Sequence, residues 1–408
     1  MLDLDFVRAA FPALDSPWAL FDNAGGSVPA RHVIDRVTGY MSRHAVQLGA
    51  SYELSQAASA AVQSGRETAA RLFNAEMDEV VLGPSTTALM GRLATALAPN
   101  WREGDEVIVT NLDHEANVGA WRRLEERGII VREWCFRPET MRLEAEDLEA
   151  LLSDRTRLVA FTQCANVVGT IHDVPAFTKM IRAAGALSCV DGVAYAPHRR
   201  VDVKALGVDF YIASLYKVFG PHVGAMYGRR EALLSGRNIN HYFIEETEVP
   251  YKYEPGGVVH EAAAGVAGIG DYLDAVDAHH GGNAADDAGQ RTARAFELFT
   301  QAEAELAEPL LAFLRDAPRV KIIGSPASDA AERVGTVAFT VDGMHSSEVP
   351  AALDQQKLAI RFGHFYAYRA IEALGLFDQG GVVRASVLHY NTPQEVERLV
   401  EALDAVVS

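Results

Sequence analysis

Short apolar runs alternate with longer, periodically apolar stretches through the first half of the chain. Val80-Val81-Leu82, Val107-Ile108-Val109, Leu158-Val159-Ala160-Phe161, the run 187–190 and Phe210-Tyr211-Ile212-Ala213 have strand length and little polar interruption. Such runs fit strands covered on both faces. Between them Leu89, Leu93 and Leu97 recur at helical spacing, and 175–184 reads as a second helix. From about residue 75 to about 230 the alternation predicts a mostly parallel sheet with helices on both sides. Past Tyr253 the pattern changes. Residues 262–276 and 290–306 read as long helices, the first rich in Gly and Ala and so able to pack closely. The stretch 277–289 between them reads as a loop or helix start, with His279 and His280 solvated rather than metal-bound. From Val320 onward, strands such as 335–339 alternate with helices at 347–355 and 393–407, predicting a smaller α+β unit. The expected division is an N-terminal segment 1–20 packed on the small unit, a large domain 21–260, and 261–408 as interdomain helix plus small domain.

Candidate chemistry sits at the predicted strand ends. Lys217 follows an apolar strand and precedes a Gly-Pro turn in Tyr216-Lys217-Val218-Phe219-Gly220-Pro221. A strand-end lysine is often a solvated cap, but an amine held in apolar surroundings loses its charge readily and can condense with an aldehyde. Asp191 ends the run 187–190 and would cap a turn or pair with a protonated pyridine nitrogen. Ser85, Thr86 and Thr87 open the helix after Val80-Val81-Leu82, where hydroxyls, free amides and the helix dipole suit a phosphate. His114, after the strand 107–109, is a loop histidine or a ring that stacks on a flat cofactor. Phosphate cup, histidine, aspartate and lysine thus come in order at carboxyl ends of strands, where open α/β sheets bind ligands.

With these pieces the chain resembles the fold-type I pyridoxal-phosphate enzymes, specifically the class V aminotransferase family that includes the cysteine desulfurases. The likeness runs from Phe21-Asp22-Asn23-Ala24-Gly25-Gly26 through Asp113-His114-Glu115-Ala116-Asn117 and Ala165-Asn166-Val167-Val168-Gly169-Thr170. It continues through Arg361-Phe362-Gly363-His364 to Arg384-Ala385-Ser386-Val387-Leu388-His389-Tyr390-Asn391-Thr392, the last being especially similar to the selenocysteine lyase branch. The resemblance implies an α/β fold, with a large domain built on a mostly parallel, seven-stranded type of sheet and a small α+β C-terminal domain. It implies that Ser85, Thr86 and Ser214 hold the cofactor phosphate, His114 stacks on the ring, Asp191 pairs with its nitrogen and Lys217 forms the Schiff base. Asn166 would lie near the ring hydroxyl and the substrate. Arg384 would take the substrate α-carboxylate, a task for a planar bidentate donor, with Arg361 and Tyr366 beside the substrate. The loop around Gly256-Gly257 would reach the cofactor phosphate of a partner subunit, so a homodimer with its site at the interface is expected.

Departures from the family pattern narrow the chemistry. Desulfurases carry a cysteine on the mobile loop after Arg-x-Gly-His, and here that position is Tyr366. Cys135 and Cys189 lie in apolar runs, and Cys164 lies near Asn166 without an evident activating base. The family's glutamine three residues after the aspartate is Ala194, and its histidine before the lysine is Tyr216, whose phenol can still donate to phosphate or ring oxygen. A threonine usual after the first glycine of the partner loop is Gly257, which keeps only a backbone donor. The expected function is therefore an aminotransferase-type enzyme on the α-amino group of a small amino acid. The alternatives are a carbon–sulfur β-lyase on a cysteine derivative, a desulfurase, or a non-catalytic relative. Tyr52, Tyr242 and Phe365 are candidates for an apolar substrate wall.

Composition adds limits. At 408 residues the chain can bury a large core. A net charge of −18 opposes binding to nucleic acid. No apolar run is long enough for a bilayer, the start lacks the pattern of a signal peptide, and three unpaired cysteines fit a reducing compartment, so a cytoplasmic location without a metal site is expected.

Overall fold

The computed structural model describes residues 1–283 and 285–407; Ala284, inside the stretch 277–289, and Ser408 lie outside the described residues. The apolar runs become one seven-stranded sheet. Its order is Val80–Gly83, Gly224–Gly228, Phe210–Ser214, Leu187–Asp191, Thr156–Thr162, Glu106–Thr110 and Ile130–Trp134. All neighbours are parallel except Gly224–Gly228, which runs antiparallel to both of its partners. Because side chains alternate across a strand, each run feeds two cores. Val81, Val107, Val109, Leu158 and Ile212 join one buried cluster with Leu89, Leu93 and Leu97 of the helix Thr86–Leu97. Leu82, Ile108, Val159, Val190 and Tyr211 join the other. Each fully buried aliphatic side chain stabilises the fold by about 1.5–3 kcal/mol; the edge strand Ile130–Trp134 is the exception, largely uncovered and carrying Arg132 and Glu133.

The helix His260–His279 packs against Arg31–Arg43 and Glu53–Phe73 at backbone distance, as its Gly and Ala content predicts. A Cβ on Gly268 would stand 2.5 Å from the Cα of Val33, and one on Gly65 would stand 1.7 Å from the carbonyl oxygen of Ala263. This helix runs farther than the sequence pattern foretells, through His279. His279 is exposed and His280 half-buried, and both also serve as docking points for the N-terminal segment. The His279 ring stacks on Phe6 at 3.8 Å and meets Asp3 Oδ2 at 2.9 Å, and His280 Nε2 accepts from the Asp3 amide at 2.8 Å. Farther along, Ala19–Leu20 pairs in parallel with Leu358–Ala359. The second long helix spans Ala288–Asp316.

The second sheet is antiparallel, in the order Arg361–Gly363, Val382–Ser386, Thr336–Val341, Val320–Ile323. Its register sets Arg361 directly across from Arg384. An isolated bridge between Asp22 and Ser386 brings the chain after Ala19–Leu20 alongside the same strand. One acidic and two basic side chains are thereby grouped, and Arg384 meets the Asn166 carbonyl just past the carboxyl end of Thr156–Thr162. Among the described residues, no helix is long and apolar enough to cross a membrane.

Candidate active site

Every strand of the large sheet that carries candidate chemistry delivers it at its carboxyl end. After Val80–Gly83 the backbone turns at Ser85, which is extended (φ −168°) and caps the following helix, its Oγ accepting from the Ala88 amide at 3.2 Å. Thr86 Oγ1 lies 2.5 Å from Ser214 Oγ at the end of Phe210–Ser214. Gly224 lets the antiparallel strand press on this cup: a Cβ there would come within 2.6 Å of the Ser85 carbonyl carbon and 2.8 Å of the Thr86 amide nitrogen. Hydroxyls and free helix-end amides are thus grouped around one point, a geometry suited to a dianion.

Lys217 closes a single turn, Leu215–Lys217, directly after that strand. It is buried, and its amine forms no hydrogen bond or ion pair among the described residues. Burial, with Arg384 as the strongest opposing charge, brings the amine down to about 8. Asp191 ends its strand fully buried, with Oδ1 accepting from the Val193 amide at 2.9 Å, and burial raises its carboxyl to about 6. His114 Nδ1 accepts from the Ala116 amide at 3.1 Å, which leaves Nε2 for the proton of a neutral ring. Burial, then the charges of Lys217 and Arg384, push this imidazole down to about 4, so it stays neutral at physiological pH.

One cavity is lined by Ser85, Thr86, His114, Asn166, Asp191, Ser214, Tyr216 and Lys217, together with Cys164 and Ala194. The remaining candidates stand around it rather than in its wall. Arg384 is 2% exposed and donates from Nη1 to the Asn166 carbonyl at 3.0 Å and from Nη2 to Asp22 Oδ1 at 3.2 Å, while its Nε is buried without a partner. Phe365 covers the guanidinium face at 3.7 Å. Arg361 is paired with the other oxygen of Asp22. Tyr366 lies with its ring 5.2 Å from that of His114 and shares an adjoining recess with it. Its loop is folded down by two bonds, Asn166 Nδ2 to the Phe365 carbonyl at 2.9 Å and the Glu115 amide to the Tyr366 carbonyl at 2.8 Å. Gly257 is not brought to this cavity; it borders a separate recess with His222 and Arg92. Tyr216, by contrast, stacks on His222 at 4.7 Å. Tyr52 and Tyr242 are exposed and form no wall of this cavity, whereas Phe365 does reach Arg384.

Pyridoxal phosphate fits what these residues leave unmet. Asn166 Oδ1 is buried without a donor, Asp191 is buried with no cation bonded to it, and the Lys217 amine has no acceptor. A protonated ring nitrogen, a ring hydroxyl, an aldehyde and a phosphate would satisfy these groups and the cup together.

Two roles were not legible in the sequence. Asp22 lies within a quoted motif, yet only the bridge to Ser386 shows that it neutralises two distant arginines. Phe365 was noted as a wall, but its place over Arg384 depends on a loop conformation no periodicity announces.

A family model for class-V aminotransferases matches residues 19–399. The aminotransferase-like protein FGM3 of Gibberella zeae is 37% identical, over 99% of this chain and 98% of its own length. The cysteine desulfurase-like protein ustD of Aspergillus flavus is 33% identical, over 100% of this chain and 91% of its own. The fold of the apo cysteine desulfurase from Thermococcus onnurineus NA1 superimposes with a TM-score of 0.87 at 24% identity, covering 100% of this chain and 98% of that one.

Proposed function

Because the chain belongs to the class-V aminotransferase family, we propose that it acts on the α-amino group of a small amino acid in the manner of an aminotransferase. Its cofactor is pyridoxal phosphate, which when bound supplies an electron-withdrawing ring to the carbon that bears the amino group. Lys217 would hold the cofactor aldehyde, Ser85, Thr86 and Ser214 its phosphate, Asp191 its nitrogen, and Asn166 its hydroxyl. His114 would cover the ring face, and Tyr216 would border it. Arg384 binds the substrate α-carboxylate through the edge that carries its unpartnered Nε, and Arg361 lends positive charge from the neighbouring strand. Asp22 holds both guanidinium groups in place. Once free of the cofactor, the Lys217 amine takes the proton from the substrate Cα, for which its lowered basicity suits it. Phe365, seated on Arg384, keeps water from the carboxylate.

The observation that carries this reading is the neutral-prone Lys217 amine with Arg384 as its strongest charged neighbour, in a site whose loop tip is a phenol. Persulfide chemistry needs a thiolate, and burial pushes the Cys164 thiol, which lines the cavity, up to about 12. A β-lyase on a cysteine derivative is the second reading, favoured by the place of Tyr366 beside His114, where a phenol can protonate a departing group. A purely binding role would leave Lys217, Asp191, His114 and Arg384 without reason to be assembled. Incubating the holoenzyme with amino acids and a keto acid, in parallel with cysteine conjugates and a pyruvate assay, decides between them. New amino acid from the keto acid supports the first reading; pyruvate without it supports the second.

A second copy of this chain completes the assembly. The Gly256–Gly257 loop stands free of the cavity; Asn240 donates to the Glu254 carbonyl just before it at 3.2 Å, and the nearby chain positions Tyr242 and Phe243 are 96% and 62% exposed. Such aromatic exposure marks a surface meant to be covered.

A further inference from the structure

Arg384 has spare donors and no open approach. Its Nη1 is bonded to the Asn166 carbonyl and its Nη2 to Asp22, its Nε is buried without a partner, and the whole residue is 2% exposed. The Phe365 ring closes the guanidinium face at 3.7 Å. A carboxylate meets an arginine edge-on, at hydrogen-bond distance from two nitrogens, so one of these covers must move before a carboxylate can enter. Two of them are fixed. Asp22 is paired with Arg361 as well as Arg384, and its backbone is bridged to Ser386, so withdrawing it would strand two cations. The Asn166 carbonyl belongs to a turn closed by the Ala165 amide on the Thr170 carbonyl at 3.1 Å and the Gly169 amide on the Ala165 carbonyl at 2.7 Å. Phe365 is the loose cover. It is half-buried between the exposed His364 and Tyr366. The segment 364–366 hangs between Gly363, whose φ of 129° suits glycine, and the buried Ala367. Two bonds latch it down, Asn166 Nδ2 to the Phe365 carbonyl at 2.9 Å and the Glu115 amide to the Tyr366 carbonyl at 2.8 Å. Phe365 and Tyr366 hold left-handed φ of 49° and 60°, which side chains of their kind disfavour, so releasing the latches also releases strain.

Resting on the reading of Arg384 as partner of the substrate α-carboxylate, we propose that Phe365 is the gate of the carboxylate site: the segment 364–366 lifts the ring off Arg384 to admit the carboxylate, then seats it again as the two latches re-form. Phe365 is thus a positioning residue that acts through Arg384. An amine without a carboxylate reaches Lys217 through the cavity, which Arg384 does not line, and has no need of the gate.

A reversible lock tests this in the holoenzyme. Glu115 and Tyr366 already meet through their backbones, so Glu115→Cys combined with Tyr366→Cys can be joined by a disulfide that holds the loop down. Phenylglyoxal labelling of Arg384, mapped by mass spectrometry, reads the gate without reference to activity. The oxidised form should label more slowly than the reduced form by about tenfold or more; equal labelling overturns the proposal. If the disulfide does not form, Asn166→Ala decides, since it keeps the ring and removes one latch. Labelling should then rise by about tenfold over the natural protein, whereas a lower melting temperature with unchanged labelling marks a structural bond only and overturns the gate. Cofactor absorbance supplies the second arm. The oxidised form should respond to ethylamine and not to L-alanine, and reduction should restore the response to L-alanine. A response of the oxidised form to L-alanine equal to that of the reduced form overturns the gate. If labelling follows the lock while the reduced form responds to ethylamine alone, the gate over Arg384 stands and the reading of that arginine as the α-carboxylate's partner falls.

Discussion

At the scale of single residues, the site works by keeping charge where burial makes it costly. Arg384 is enclosed and still charged because Asp22 and the Asn166 carbonyl satisfy two of its nitrogens. On the proposed reading, Arg384→Ala would remove the partner of a buried substrate carboxylate. It should weaken amino-acid binding by about 2–5 kcal/mol while cofactor stays bound, read by titrating the cofactor absorbance with substrate. Loss of cofactor with unchanged substrate affinity would take Arg384 out of this role. Lys217 follows the opposite logic, since burial leaves it a reactive amine. A lysine brought down to about 8 is charged below that value and neutral above it. Capture of the aldehyde by apoenzyme should therefore rise roughly tenfold per pH unit up to about 8 and then level off. Stopped-flow absorbance would follow it, and a rise continuing to pH 10 would contradict the lowered basicity. Cys164 is enclosed and raised to about 12, so Cys164→Ser should keep most of the activity. Complete loss, with the fold intact by circular dichroism, would return sulfur chemistry to consideration.

Elements explain which of these features the sequence could announce. Strands buried on both faces write continuous apolar runs, so Val107-Ile108-Val109 and Phe210-Tyr211-Ile212-Ala213 were readable, and with them the chemistry at their ends: Ser85, His114, Asp191 and Lys217. Gly224–Gly228 was not, because a glycine-flanked strand lacks that signature, although its bareness is what admits it against the phosphate cup. Asp22 was illegible as a partner because its meaning comes from neighbours remote in the chain. Close helix packing was visible as small residues without its consequence. Alanine is favoured over glycine in a helix by about 1 kcal/mol, yet Gly65→Ala would set a methyl carbon 1.7 Å from the Ala263 oxygen. Steric overpacking should win, with a net loss of about 1–3 kcal/mol in chemical denaturation. A stabilised variant would show that the helices can separate freely.

Across the whole molecule, the two sheets divide the labour. On the proposed reading cofactor contacts would come from the seven-stranded sheet and carboxylate contacts from the antiparallel one, with Asn166 joining the two through Phe365 and Arg384 and Asp22 binding both arginines of the second sheet. In the proposed dimer the exposed Tyr242 and Phe243 would be covered by a second copy. Sedimentation of the holoenzyme should give a dimer, and dilution into monomer should release cofactor on the same concentration scale. Monomers that retain the cofactor would separate the site from assembly.

One feature of the loop over the cavity bears on how such a protein can change. Phe365 and Tyr366 adopt φ of 49° and 60°, one residue beyond Gly363 at 129°, and neither belongs to a strand or helix. Their backbone strain is held locally, by Asn166 and the Glu115 amide. Tyr366 is 67% exposed and joins no hydrophobic core, so a new side chain at that position leaves the cores untouched. A lineage carrying this scaffold can trade one reactive group for another there in a single codon change, and inherit cofactor, base and carboxylate grip intact.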